Sequence, residues 1–109
     1  MLVLEFSIAP LQQGTSVSDY VARAVRIVEQ SGLDYRLHAM GTLVEGELEQ
    51  VLEVLRKCFE DLSADCERIT CSAKFDYRRG YQGRLEAKVR SVEEKLGHKL
   101  KTIGGKNAE

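Results

Sequence analysis

The sequence predicts an α+β domain: one antiparallel sheet with two helices on one face, and a third helix after the last strand. Three observations carry that expectation. Residues alternate between apolar and polar over Leu2–Ile8 and again over Ile69–Asp76. Two short strand-like runs meet at Met40-Gly41 in the middle of the chain. A long helical pattern separates that centre from each outer strand. The order strand, helix, hairpin, helix, strand is close to symmetrical about the hairpin.

The bulk properties agree with one such domain. The chain has 109 residues, 43% of them hydrophobic and 30% charged, which suits a single core of modest size. A formal net charge of -1 gives no electrostatic basis for binding nucleic acid or an anionic membrane. No apolar run approaches the roughly 20 residues that span a bilayer. Met1–Glu5 carries no basic leader, so the expected compartment is the cytoplasm. Cys58, Cys66 and Cys71 are odd in number and lack C-x-x-C spacing, which points to free, packed thiols rather than a zinc or redox site.

In the first strand Leu2, Leu4, Phe6 and Ile8 alternate with Val3, Glu5 and Ser7, and Pro10 ends the pattern. A polar loop follows from Gln12 to Ser16. Ser16 or Ser18 can cap the first helix, with Asp19 in its first turn. Val17, Tyr20, Val21, Ala24, Val25 and Val28 mark its apolar stripe, and Gly32 is its natural stop. The hairpin runs over Tyr35–Gly46, with Gly41 suited to a tight reversal. The phase of its second strand stays open: either Leu43 or the Thr42/Val44 pair faces inward. Glu47 opens a second helix with the stripe Leu48, Val51, Leu52, Leu55, Cys58, Phe59 and Leu62. Ser63-Ala64-Asp65 is a loop. In the last strand Ile69, Cys71, Ala73 and Phe75 alternate with Thr70, Ser72, Lys74 and Asp76. A third helix is expected from about Tyr81, through Leu85, Val89, Val92 and Leu96, to Gly97. The domain is therefore expected to cover residues 1–97, with a polar tail over 98–109.

This order matches the ferredoxin-like βαββαβ arrangement, in which the outer strands are neighbours and right-handed crossovers put both main helices on one face. The other face should carry Glu5, Ser7, Thr70, Ser72 and Lys74. Arg36 and His38 join them if Tyr35 and Leu37 point inward. Solvent, or another copy of the sheet, is the plain explanation for such a polar face. A site for a small polar heterocycle is the sharper one, because carboxylate, hydroxyl and ammonium groups together offer both donors and acceptors.

Several stretches resemble the small thiamine-binding-protein family. They are Gly14-Thr15-Ser16-Val17-Ser18 before Tyr20-Val21, Met40-Gly41-Thr42-Leu43-Val44-Glu45-Gly46 before a helix, Lys74-Phe75-Asp76-Tyr77-Arg78, and Lys88-Val89-Arg90-Ser91-Val92. Their order and spacing carry the resemblance from Met1 to about Leu96. It implies a ferredoxin-like fold, homo-oligomers (dimer or tetramer) assembled through the sheets, and thiamine or its hydroxymethylpyrimidine part as ligand. The resulting candidate site is Glu5, Ser7, Thr42, Ser72 and Lys74. Thr42 joins it through its hydroxyl, if that residue faces the ligand rather than simply favouring a strand.

The other polar residues have simpler explanations. Glu47 suits a helix start, Lys74 and Asp76 suit an ion pair, and Arg78-Arg79 suits an exposed basic turn. His38 has no second ligand at metal spacing. No nucleophile motif or phosphate loop points to an enzyme, and no cofactor is implied. RNA recognition on this fold needs aromatic residues on the open face, whereas Phe6 and Phe75 belong to the core-facing sets. The strongest rival is a homo-oligomer with a structural role and no ligand.

Overall fold

The computed structural model describes residues 1–11 and 17–102. The elements run β1 (Leu2–Pro10), α1 (Val17–Ser31), β2 (Asp34–His38), β3 (Gly41–Gly46), α2 (Leu48–Ser63), β4 (Ile69–Tyr77) and α3 (Arg84–Leu96). The strands form one antiparallel sheet in the order β2-β3-β1-β4. The first and last strands are thus neighbours and the hairpin lies beyond β1, as the element order requires. The loop 12–16, with the cap expected at Ser16, and the tail beyond residue 102 lie outside the described residues.

The core forms where the even-numbered side chains of β1 meet α1 and α2. Leu2, Leu4, Phe6 and Ile8 are buried against Ala24 and Val28 of α1 and Val51, Val54, Cys58 and Leu62 of α2. Each large apolar side chain buried there contributes roughly 1.5–3 kcal/mol. The expected stripe of α2 is only partly right. Leu48, Leu52 and Phe59 stay exposed, and Val54, outside that stripe, is buried. α1 and α2 lie side by side and leave the outer half of β4 uncovered, so Phe75 points to the helical face yet is 42% exposed.

The hairpin departs from expectation in one detail. His38 pairs with Gly41, so the reversal is Ala39-Met40, one residue earlier than the Met40-Gly41 junction. Gly41 is not among the glycines with positive φ. Its requirement is space: a Cβ there would lie 2.7 Å from the Phe6 carbonyl oxygen. Register settles the open phase. Thr42, Val44 and Gly46 stand opposite Phe6, Leu4 and Leu2, so they face the core and Leu43 faces the other side.

That other side is partly roofed by α3, which starts at Arg84 rather than Tyr81 and ends at Gly97 (φ 82). Its first turn is pinned by charge. The buried Glu45 carboxylate accepts the Arg84 backbone N–H with both oxygens at 3.1 Å. The buried Arg84 guanidinium donates to the Asp76 carboxylate at 2.6 Å and to its carbonyl at 3.0 Å. Lys88 reaches the same carboxylate at 3.0 Å, and Arg36 of β2 reaches Glu86 at 2.9 Å.

The pin is pH-sensitive. Lys88 and Arg84 hold the Asp76 carboxyl below the ordinary aspartate range. A carboxylate with a depressed native pKa stabilises fully above its unfolded value, near 3.9, and that stabilisation is lost as pH falls through the native value. Acidification below about pH 4 is therefore expected to loosen the first turn of α3. NMR shifts of the amides of residues 84–90 check this; an unmoved first turn where Asp76 titrates would sink it.

Candidate functional site

Pairing lengths create the site. β1 pairs with β4 along all nine of its residues, Leu2 to Pro10, but with β3 only from Leu2 to Phe6. From Ser7 onward the β3-facing edge of β1 meets no strand among the described residues. The Leu11 N–H donates to the Arg68 carbonyl on the β4 side. Backbone groups alternate sides along a strand, so the N–H and C=O of Ile8 point away from β4, into the notch. Pro10, the next residue with that orientation, has no N–H to leave unpaired.

A pocket of about 230 Å³ occupies this notch. The hairpin turn closes one side through His38, Met40 and Gly41, and the first half of α1 closes another through Val17 and Val21. Ser7 and Ser72, direct partners across β1 and β4, supply hydroxyls from the open sheet face. The volume falls below the roughly 300–1,000 Å³ of a site for a drug-sized ligand, and suits one small ring.

The open face continues from the notch. Glu5 and Lys74 are direct partners, one row from Ser7 and Ser72. Four of the candidate residues, Glu5, Ser7, Ser72 and Lys74, therefore share one surface. Thr42 is not on that surface, yet it lines the pocket with Ser7 and Ser72, whereas Glu5 and Lys74 are not among the lining residues. It is buried on the opposite face of the sheet and meets the pocket from beneath. An inward β-branched residue at that position packs beside Phe6, which is the physical reason that it meets the pocket from the helical face.

Glu5 does not pair with Lys74; His38 stands closer. The His38 Nε2 lies 3.3 Å from Glu5 Oε2. The His38 Nδ1 accepts the Met40 N–H at 3.2 Å, so in the neutral ring the proton sits on Nε2. Among the described residues that buried Nε2 has no hydrogen-bond partner, because its approach to Glu5 lacks the required geometry. His38 is thus a donor held in place at the pocket with no acceptor among the described residues. Its outward direction followed from the sequence only if Tyr35 and Leu37 point inward, a condition that their pairing with Val44 and Thr42 meets. Arg36, its neighbour on the same face, is already engaged by Asp34 and Glu86. The expected pair of Lys74 with Asp76 is replaced by the pairs of Asp76 with Arg84 and Lys88. Arg78 stacks on the Tyr81 ring at 3.6 Å, well away from the notch at the other end of β4.

No helix among the described residues is long and apolar enough to cross a membrane. The family model described as "Thiamine-binding protein" matches residues 4–93. The chain is 33% identical to the UPF0045 protein MJ1052 of Methanocaldococcus jannaschii, over 85% of this chain and 93% of that protein. A UPF0045 protein of Methanothermobacter thermautotrophicus is 36% identical over 88% of this chain and all of its own length. The crystal structure of MJ1052 superposes with a TM-score of 0.77, covering 85% of this chain and 96% of that one. A Thermotoga maritima structure, provisionally described as a thiamine biosynthesis/salvage protein, superposes with a TM-score of 0.74 at 21% identity, covering 84% and 97%. That last likeness is one of fold.

Proposed function

The chain belongs to the thiamine-binding protein family, and from that premise we propose that it binds thiamine or a related pyrimidine without catalysis. The notch beside the bare edge of β1 carries this reading. An aminopyrimidine presents a donor beside an acceptor along one edge. The C=O and N–H of Ile8 offer the complementary pair, as a neighbouring strand would. The hydroxyls of Ser7 and Ser72 and the unpaired His38 Nε2–H supply further polar contacts at the rim. A pocket with room for one ring leaves the thiazolium of thiamine outside, where the half-exposed Glu5 carboxylate meets its positive charge.

The compartment proposed is the cytoplasm. All three cysteines are free, and burial pushes the Cys58 thiol up to about 12, which suits packing in a reducing environment. The working form proposed is a homo-oligomer. Among the described residues both sheet edges, β2 and the nine-residue β4, are uncovered by another strand, and Val3 and Leu43 are half-buried apolar side chains on the open face.

Calorimetry with thiamine and with hydroxymethylpyrimidine tests the ligand. Both are expected to bind. Ser7→Ala should weaken both by about 1 kcal/mol, roughly five-fold. Glu5→Gln should weaken thiamine by a similar factor and leave the uncharged ring less affected. If the folded parent binds neither compound, the reading fails and a structural oligomer stands in its place. If both variants bind like the parent, the ligand sits elsewhere.

A further inference from the structure

His38 stands between the pocket and an acidic side chain. Its side chain is only 12% exposed and forms part of the pocket wall. The Nδ1 accepts the Met40 N–H and so ties the ring to the hairpin turn. The Nε2 lies 3.3 Å from Glu5 Oε2, with no hydrogen bond made among the described residues. Glu5 itself is half-exposed, one row outside the pocket. The other charged groups near the ring have fixed places. Lys74 of β4 stands opposite Glu5. Arg36 of β2 is engaged by Asp34 and by Glu86 of α3. Glu45 of β3 is turned to the first turn of α3. Val17 and Val21, which α1 sets against the pocket, carry no charge.

The two charge states of His38 treat Glu5 differently. The neutral ring keeps a lone pair on Nδ1 for the Met40 N–H and leaves the Glu5 charge available. In the protonated ring both nitrogens carry hydrogen, so the Met40 N–H loses its acceptor beside the pocket. The imidazolium then faces a carboxylate close enough for a charge-assisted bond, which the half-exposed Glu5 can turn to make. A cation arriving at Glu5 would meet the like charge of the imidazolium. Lys74 opposes a proton on His38 and a cation at Glu5 alike, so it does not choose between them.

We infer that His38 gates the site by charge: a proton on its ring and an organic cation at Glu5 exclude one another. The inference rests on the proposed function, in which the pyrimidine fills the notch and the positive charge of thiamine lies at Glu5. Thiamine is then taken up by the form with neutral His38 and released by acid. Coupling is reciprocal, so bound thiamine makes His38 harder to protonate by the same factor.

Proton NMR of the imidazoles follows both histidines of the full chain, His38 and His98, through an acid titration. Saturating thiamine should raise the acid concentration that protonates His38 by about ten-fold. His98, exposed past the end of α3, should be unaffected. Calorimetry should find thiamine bound about five-fold more weakly near pH 6 than near pH 8, within the span where histidines ordinarily change charge. In His38→Gln, which takes up no proton, the affinity should no longer vary over that span. In Glu5→Gln, saturating thiamine should no longer alter the titration of His38. A parent that binds no thiamine at either pH overturns the proposed function and the gate with it. A parent that binds thiamine equally at both, or whose His38 titrates alike with and without it, overturns the gate alone. So does a Glu5→Gln protein that binds thiamine and keeps the full coupling.

Discussion

Gly41→Val is expected to lower stability by about 1–3 kcal/mol and to abolish ligand binding. The side chain would start 2.7 Å from the Phe6 carbonyl oxygen and 3.3 Å from its carbon, and neither backbone atom can swing aside. β3 must therefore move off β1 at the end of their ladder. The branched methyls would also fill the space between His38 and Ser7 where the pocket opens. Both consequences follow from one position, because the missing side chain of Gly41 lets the strands approach and keeps the notch clear. Urea unfolding should show a lower midpoint with an unchanged slope, the sign of lost stability without a changed unfolded state. Met40→Val is the control for stability alone, since Met40 is 83% exposed in the same turn but also borders the pocket. A Gly41→Val protein with the parent's midpoint and affinity would contradict the geometry.

Glu45→Ala is expected to cost about 1–3 kcal/mol, concentrated in α3. The carboxylate is the acceptor for the buried N–H that begins the helix, and its removal leaves that donor without a partner. It also removes a negative charge from the positive end of the helix, worth a further ~0.3–1 kcal/mol. Glu45→Gln keeps an acceptor and loses the charge, so its cost should be the smaller. Amide hydrogen exchange separates this from a general loss of stability. Protection over residues 84–96 should fall in the alanine variant while the amides of β1 keep theirs. Equal protection of α3 in parent and variant would mean that Arg84 and Asp76 hold the helix without Glu45.

The site mixes features that a sequence carries openly with others that it does not. Glu5, Ser7, Ser72 and Lys74 could be assigned to one face because each alternates with apolar residues on a strand, and alternation is a property of the local chain. Thr42 could not be assigned. In Thr42-Leu43-Val44 every residue is compatible with either face, so only pairing with Phe6 and Leu4 fixed it inward. Gly41 was legible as necessary but for the wrong reason: a glycine in a turn suggests positive φ, whereas its constraint comes from a carbonyl 35 residues earlier. The notch was not legible, because it arises from the different lengths over which β1 pairs with β3 and β4.

By itself, then, the sequence determined the element order, the fold class and the polar character of the uncovered sheet face. Hydrophobic periodicity encodes these within a dozen residues, and the short connections allow few ways of packing them. The tertiary structure alone decided which face β3 presents, where β1 runs bare, how His38 comes to hold an unused donor, and that Glu45, Asp76 and Arg84 pin α3 across the sheet. Each depends on groups distant in sequence meeting at a particular register. A shift of one residue in that register turns every side chain of the strand to the other face.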